Sequence, residues 1–226
     1  MSLIRVNIQA GCLSGTSAGC EAAQLFMATT IQLRRMSIDE AVTTSRLMRK
    51  VIRSLPICSA RERCGEAAKY TAAMIRALVK DDPDAVLIAI ADDHPVGFCV
   101  SRRDDGLLLL EWYGVDPAWR ANGIGRQLLE RVVTTAARRG CHKLWCDSNM
   151  GNKASHSLLC SLGFQPFATV KNHWYGEDFI LWERPVERSR GRATRVARVA
   201  RSPRHARRWS APAHSRLAAL SRALAA

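Results

Sequence analysis

The stretch Val115-Asp-Pro-Ala-Trp-Arg-Ala-Asn-Gly-Ile-Gly-Arg-Gln-Leu-Leu129 constrains this chain more than any other. Before it, Leu107–Val115 is apolar and of strand length. Asp116-Pro117 ends the strand, and from Gly123 to about Arg139 the apolar residues follow a helical period. An Arg-x-x-Gly-x-Gly loop therefore sits where a strand hands over to a helix, and that geometry suits an anion such as a pyrophosphate. Glycine has no Cβ to hold a phosphate away, the first amides of a helix lack intrahelical acceptors, and the helix dipole turns its positive end to the same point. By itself the loop fits a plain tight turn before a surface helix equally well.

The neighbouring segments indicate which sheet that strand joins. Val86–Ile90, Pro95–Val100 and Leu107–Val115 are apolar or alternating runs, separated by Asp92-Asp93-His94 and Arg103-Asp-Asp-Gly106, which read as hairpin turns. Upstream, Met27–Arg35 alternates as a short strand, and Ser37-Ile-Asp-Glu40 has the form of a capping box opening a helix to about Ser54. A second helix is expected from about Arg63 to Lys80, stopped by Asp81-Asp82-Pro83-Asp84. Downstream come a strand Lys143–Cys146, a helix Lys153–Leu162, and two strands, Gln165–Val170 and Glu177–Trp182, giving the order βααβββαβαββ. Antiparallel strands followed by a βαβ unit predict an α+β domain, a mixed, mostly antiparallel sheet of six to seven strands flanked by about four helices.

The formal charge of +14 suggests a polyanionic partner until it is divided along the chain. From Arg184 to Ala226 there are twelve arginines, no lysine and one glutamate, a net +11, while residues 1–183 carry only +3. A basic run at one end describes that end alone, so nucleic acid enters as a partner only through the tail. That tail, residues 186–226, is rich in Arg and Ala and is expected to stay disordered, because it cannot bury enough apolar area to offset its ordering entropy. Residues 1–26 show Gly, Ser and Thr clusters without sustained periodicity and are likewise read as a disordered extension, with Met27 a candidate start. The folded domain is assigned to residues 27–185. The eight cysteines form neither a CxxC pair nor a zinc-type spacing and read as free, mostly buried thiols in a reducing cytoplasm. Nothing calls for a metal. No apolar run approaches about 18 residues and no secretory leader is evident, so a membrane partner is not expected.

The pattern Val-x-Pro-x-x-Arg-x-x-Gly-x-Gly after a strand resembles the acyl-CoA signature of the GNAT acetyltransferases. Asn152-Lys-Ala-Ser-His-Ser-Leu-Leu-Cys-Ser-Leu-Gly-Phe164 is similar to that family's second CoA-contacting segment, Asn-x-x-Ala-x-x-Leu-Tyr-x-x-x-Gly-Phe, at the family's spacing from the first. The resemblance covers about Thr30 to Glu183. It implies the GNAT fold, with a V-shaped opening between the fourth and fifth predicted strands, Leu107–Val115 and Lys143–Cys146. Into that opening the pantetheine arm of acetyl-CoA would insert, bonding to backbone around Tyr113 and Val115. It further implies that the amides of Arg120, Ala121, Asn122, Gly123, Ile124, Gly125 and Arg126 hold the pyrophosphate and that Asn152 bonds along the pantetheine or phosphate chain. The implied activity is direct transfer of acetyl from acetyl-CoA, as co-substrate, to a primary amine.

One position departs from the family. A tyrosine four residues ahead of the Gly-Phe pair often protonates the departing CoA thiolate, and here Leu159 stands there. Of Tyr70, Tyr113 and Tyr175, the last, in Asn172-His-Trp-Tyr-Gly176 just before the final strand, is the candidate replacement acid. His173–Leu181 resembles the end of ribosomal-protein N-terminal acetyltransferases, which carry a tyrosine-rich stretch before a Glu-Asp pair; an aromatic hairpin packed on the sheet is the other reading. An incoming ammonium must also lose a proton before it attacks, and Glu111 is the first candidate base, a lone charge in an apolar strand that either faces the cleft or lies on an exposed face. His156 and His173 follow as further candidates, with a surface or packed histidine the other reading of each. The acceptor stays open among a protein N-terminus, a lysine and a small-molecule amine, and so does the oligomeric state. The alternatives are a non-catalytic CoA-binding module, suggested by Leu159, and a nucleic-acid or ribosome-associated protein acting through its tail.

Overall fold

The computed structural model describes residues 2–6 and 29–186. The tail from residue 187 and most of the N-terminal extension lie outside the described residues, and with them the expectation of disorder at both ends. The sheet comprises β1 (Ser2–Val6), β2 (Thr29–Arg35), β3 (Val86–Ala91), β4 (His94–Asp104), β5 (Leu107–Val115), β6 (Lys143–Asn149), β7 (Gln165–Val170) and β8 (Phe179–Pro185). Their order is β1-β2-β3-β4-β5-β6-β8-β7. All neighbours are antiparallel except β5 and β6, which are parallel and joined through the helix Ile124–Arg138, the crossover that parallel strands require.

The helices are α1 (Ala41–Arg53), α2 (Ala60–Lys69), α3 (Ala72–Asp81), α4 (Ile124–Arg138) and α5 (Lys153–Ser161). Two features differ from the sequence reading. Residues 2–6, placed in a patternless extension, pair with β2, Ile4 opposite Ile31. The single helix expected from Arg63 to Lys80 is two, because Tyr70 leaves the helical region (φ −90°, ψ 61°) and the Thr71 hydroxyl restarts a helix by accepting the Met74 amide at 3.2 Å. Periodicity hid the break, since Tyr70 is itself a buried residue that meets Trp112 edge-on at 6.5 Å. The Ser37 cap is present: its amide donates to the Glu40 carboxylate at 2.8 Å.

The sheet separates two cores. On one face α1–α3 pack Met48, Ile52 and Ile75 against Ile88 and Phe98. On the other, α4 and α5 pack Ile124, Leu128 and Leu159 against Leu108, Leu144 and Phe164. Each such fully buried side chain contributes about 1.5–3 kcal/mol.

Strand β5 serves both faces, and its side-chain phase reverses along its length. Leu108 and Leu110 belong to the α4 core, and so do Tyr113 and Val115, whereas Trp112 packs with α1–α3. A bulge causes this: Val100 pairs with Trp112 but Ser101 pairs with Leu110, leaving Glu111 without an opposite residue.

Candidate active site

Strands β5 and β6 are paired only through Leu107–Leu109 and Lys143–Trp145. Beyond that, β5 follows β4 as far as Val115 opposite Gly97, and β6 follows β8 as far as Asn149 opposite Phe179. The two strands part, and their inner edges lose a ladder partner over residues 110–115 and 146–149. This is the V-shaped splay that the sequence resemblance implied.

The glycine loop lies at the end of the β5 arm. Asp116 accepts the Ala118 amide at 3.1 Å and pairs with Lys50 at 2.7 Å. Burial raises its pKa, but the Lys50 ammonium, the Ala118 amide and Arg120 together outweigh burial and hold the carboxyl below its usual range. After the turn Pro117–Trp119, Ala121 (φ 65°) and Gly123 (φ 73°) take left-handed conformations, and Gly123 precedes α4. The first amide to find an acceptor at this helix start is that of Gln127, on the Gly123 carbonyl at 3.1 Å. Those ahead of it have no intrahelical acceptor. The protein's own packing does not require glycine at 125, since a Cβ there would make only ordinary contacts, 3.6 Å from Leu158 and 3.7 Å from Val115.

The polar side chains of this region are already employed. Arg120 reaches Ser54 Oγ at 2.8 Å and the Val115 carbonyl at 3.3 Å, and Arg126 reaches Ser161 Oγ at 2.9 Å. Asn152 caps α5, its Oδ1 accepting the Ser155 amide at 3.1 Å. The Tyr113 hydroxyl bonds to Ser155 Oγ, tying β5 to α5, and burial pushes its phenol up. Leu159 is fully buried in the α4 core, a packing role that leaves the family's usual acid position without a polar group.

The opposite face carries a different assembly. Tyr175 sits in the turn Trp174–Gly176 at φ 59°, an uncommon conformation for a residue with a bulky side chain. Its hydroxyl donates to Glu66 Oε1 at 3.2 Å. Glu66, 1% exposed, also accepts from Trp112 Nε1 at 3.0 Å and from Lys69 Nζ at 2.7 Å. Burial, then the Glu66 charge, raise the Tyr175 pKa against the opposing pull of Lys69. Next to it, Trp174 Nε1 donates to Asp147 Oδ2 at 2.7 Å.

Of the two catalytic candidates from sequence, Tyr175 thus meets Glu66, while Glu111 lies in the bulge with its carboxylate 3.3 Å from Arg102 Nε. His156 bonds to the Asn149 carbonyl at 3.1 Å and stacks near Trp182, and His173 is packed between Trp174 and Phe179. Sequence reasoning missed Glu66 and Asp147. Glu66 is one of two acidic residues four apart on α2, a pattern that looks like a solvated face, yet both Glu62 and Glu66 are buried. Asp147 was missed because the strand was ended at Cys146, whereas it runs to Asn149. Among the described cysteines, Cys58, Cys99, Cys141 and Cys146 are buried and free, and Cys64 and Cys160 are exposed. No group of three or more His, Cys, Asp or Glu among the described residues could hold a metal ion, and no described helix is long and apolar enough to cross a membrane.

A family model described as the acetyltransferase (GNAT) family matches residues 47–164, just over half of the chain. The chain is 32% identical over 101 residues to the ribosomal protein bS18-alanine N-acetyltransferase of Salmonella typhimurium, across 42% of this chain and 68% of that protein. To the enzyme of the same name from Escherichia coli K12 it is 35% identical over 77 residues, 32% of this chain and about half, 51%, of that protein's length. The PaiA N-acetyltransferase of Thermoplasma acidophilum, solved in complex with coenzyme A, superposes with a TM-score of 0.60 at 18% identity, over 69% of this chain and 98% of that one, a likeness of fold.

Proposed function

The chain belongs to the acetyltransferase (GNAT) family and is an acetyl-CoA-dependent N-acetyltransferase, and we propose that its acceptor is the N-terminal amine of a protein. The parting of β5 from β6 beside the left-handed Gly123 loop is the observation that carries the cofactor half of this reading. Amides of Arg120 to Arg126 hold the pyrophosphate, backbone groups at Tyr113 and Val115 take the pantetheine arm, and the carboxamide nitrogen of Asn152 is the group left to reach it once Oδ1 caps α5. When bound, acetyl-CoA supplies a thioester, and a β5 amide freed by the splay polarises its carbonyl.

Two carboxylates border the opening, and they differ in where they stand. Glu111 lies in the β5 bulge, 3.3 Å from Arg102 Nε. Asp147 stands on β6 past the point of parting, its carboxylate oriented by the Trp174 indole, and it replaces Glu111 as the preferred base. The proton of the acceptor ammonium passes to Asp147, the nitrogen lone pair attacks the thioester carbon, and the carbon–sulfur bond breaks. Tyr175, held protonated by its raised pKa, gives its proton to the thiolate, and the second proton, shed by the nitrogen as the amide forms, restores the phenol.

The likeness to two ribosomal protein alanine N-acetyltransferases supports a peptide acceptor. Mass spectrometry after incubation with acetyl-CoA tests it on three substrates: a peptide with a free N-terminal alanine, the same peptide blocked at its N-terminus but bearing a free lysine, and a small polyamine. Acetylation confined to the free N-terminus is expected. Product on the blocked peptide or the polyamine alone would move the acceptor class to lysine or to small amines.

A further inference from the structure

Glu66, on the α1–α3 face, touches both sides of the splay, Trp112 from β5 and Tyr175 from the turn preceding β8. These partners lie 46 and 109 residues away in sequence, and with Lys69 they give its carboxylate three side-chain donors. Removing such a group costs little in local helix structure, since α2 does not depend on it for capping; the Ser59 hydroxyl does that by accepting the Glu62 amide. A near-fully buried charge retained for packing alone would be costly, and one bound by three donors fixes the position of each of them.

We propose that Glu66 is a positioning residue: its carboxylate clasps Trp112 and Tyr175 across the acceptor end of the cleft and so places the Tyr175 hydroxyl for proton delivery to the leaving thiolate. This rests on the reading of Tyr175 as the proton donor. Gly65, one residue before, belongs to the same device. A Cβ at that position would stand 2.6 Å from the Tyr175 hydroxyl oxygen, so only glycine lets the phenol lie across the helix onto Glu66.

The charged groups around Tyr175 set the sign of a pH test. On α2, Glu66 raises its pKa and Lys69, whose ammonium lies 5.7 Å from the ring centre, lowers it. Behind Glu66 stand Glu62 and Arg63, which act on Cys58 together with it. On β6, Asp147 is held by the adjacent Trp174, and on the turn itself His173 and Glu177 flank the pair. Because kcat needs the protonated phenol, its alkaline limb follows the Tyr175 pKa. Glu66→Gln removes a raising charge and moves that limb to lower pH; Lys69→Met removes a lowering charge and moves it to higher pH.

The experiment measures kcat, acetyl-CoA KM and the kcat–pH profile for Glu66→Gln, Gly65→Ala, Lys69→Met and Tyr175→Phe in the full chain. Glu66→Gln is expected to lower kcat about tenfold with acetyl-CoA KM unchanged and the alkaline limb displaced downward. Gly65→Ala guards against misfolding, because alanine is the better helix former while its methyl displaces the phenol. It should melt no lower than wild type and still lose a comparable part of kcat. If Tyr175→Phe is slow but Glu66→Gln and Gly65→Ala keep the wild-type rate and limb, the positioning role is overturned while the acid survives. If Tyr175→Phe keeps more than half the rate, the acid itself is lost. Should Glu66→Gln fail to fold, Gly65→Ala with full kcat, or Lys69→Met with an unmoved limb, overturns the clasp on its own.

Discussion

The two faces of the sheet build their half-sites from different materials. On the α4–α5 face the groups proposed to hold the cofactor are backbone: amides ahead of α4, the freed edge of β5, and a left-handed glycine at the turn. On the α1–α3 face the groups proposed to act are side chains, Glu66, Trp112, Trp174, Tyr175 and Asp147, bonded between elements distant in sequence. A backbone site tolerates any side chain that leaves the loop's shape alone and fails when that shape is filled. A side-chain site fails one functional group at a time. The difference can be broken or sharpened by substitutions on each face.

The largest effect belongs to the backbone half. Gly125→Glu places a carboxylate at the helix start, against Leu158 and Val115 and beside the phosphate seat, and should weaken acetyl-CoA binding by about 100-fold or more. Calorimetry reads this directly, and wild-type affinity in that variant would put the phosphates elsewhere. Next comes the side-chain half: Tyr175→Phe deletes one hydroxyl and should lower kcat by about 10²-fold while acetyl-CoA affinity holds. A parallel loss of affinity would show that the two half-sites are not separable.

A smaller effect should appear in stability alone. Gly114 faces α1, where a Cβ would sit 2.7 Å from Val51 Cγ1 and 3.1 Å from the Phe98 ring. Gly114→Ala should cost about 1–3 kcal/mol by overpacking, seen as a melting temperature several degrees lower, and a melt unchanged from wild type would mean that α1 yields without cost. The smallest effect is expected at the C-terminus. Val186 bonds through its amide to His142 O at 2.9 Å, so a chain ending there keeps the last described residue and its bond. Its acetyl-CoA affinity and melting temperature should match the full chain's, and a fall of several degrees would show that the basic tail docks on the domain.

The same contrast explains what could be read in advance. The glycine loop, the succession of strands along the chain from β2 onward and the Asn152 segment were legible in residues at fixed short spacings, and the splay as what the GNAT resemblance implied. Tyr175 drew notice only because Leu159 had vacated the usual acid position, and its link to Glu66 spans most of the domain. Glu66 gave no signal, since burial of a helix carboxylate depends on what folds over it. The break at Tyr70 and the strand Ser2–Val6 escaped for related reasons: one hides inside an unbroken apolar period, and the other gains its order from pairing with β2.

The bulge at Glu111 gives the β5 segment something like a reading frame. Residues before it are spelled on one phase and residues after it on the other, and the Trp112 and Tyr113 side chains each reach their own half-site, rather than the other's, only because one extra letter stands between Leu110 and Trp112. Replacing Glu111 changes a letter. Deleting it shifts the frame, turning Trp112 towards the cofactor helices and Tyr113 towards Glu66, so that one lost codon would misaddress both halves of the site while every other residue remained in the sequence.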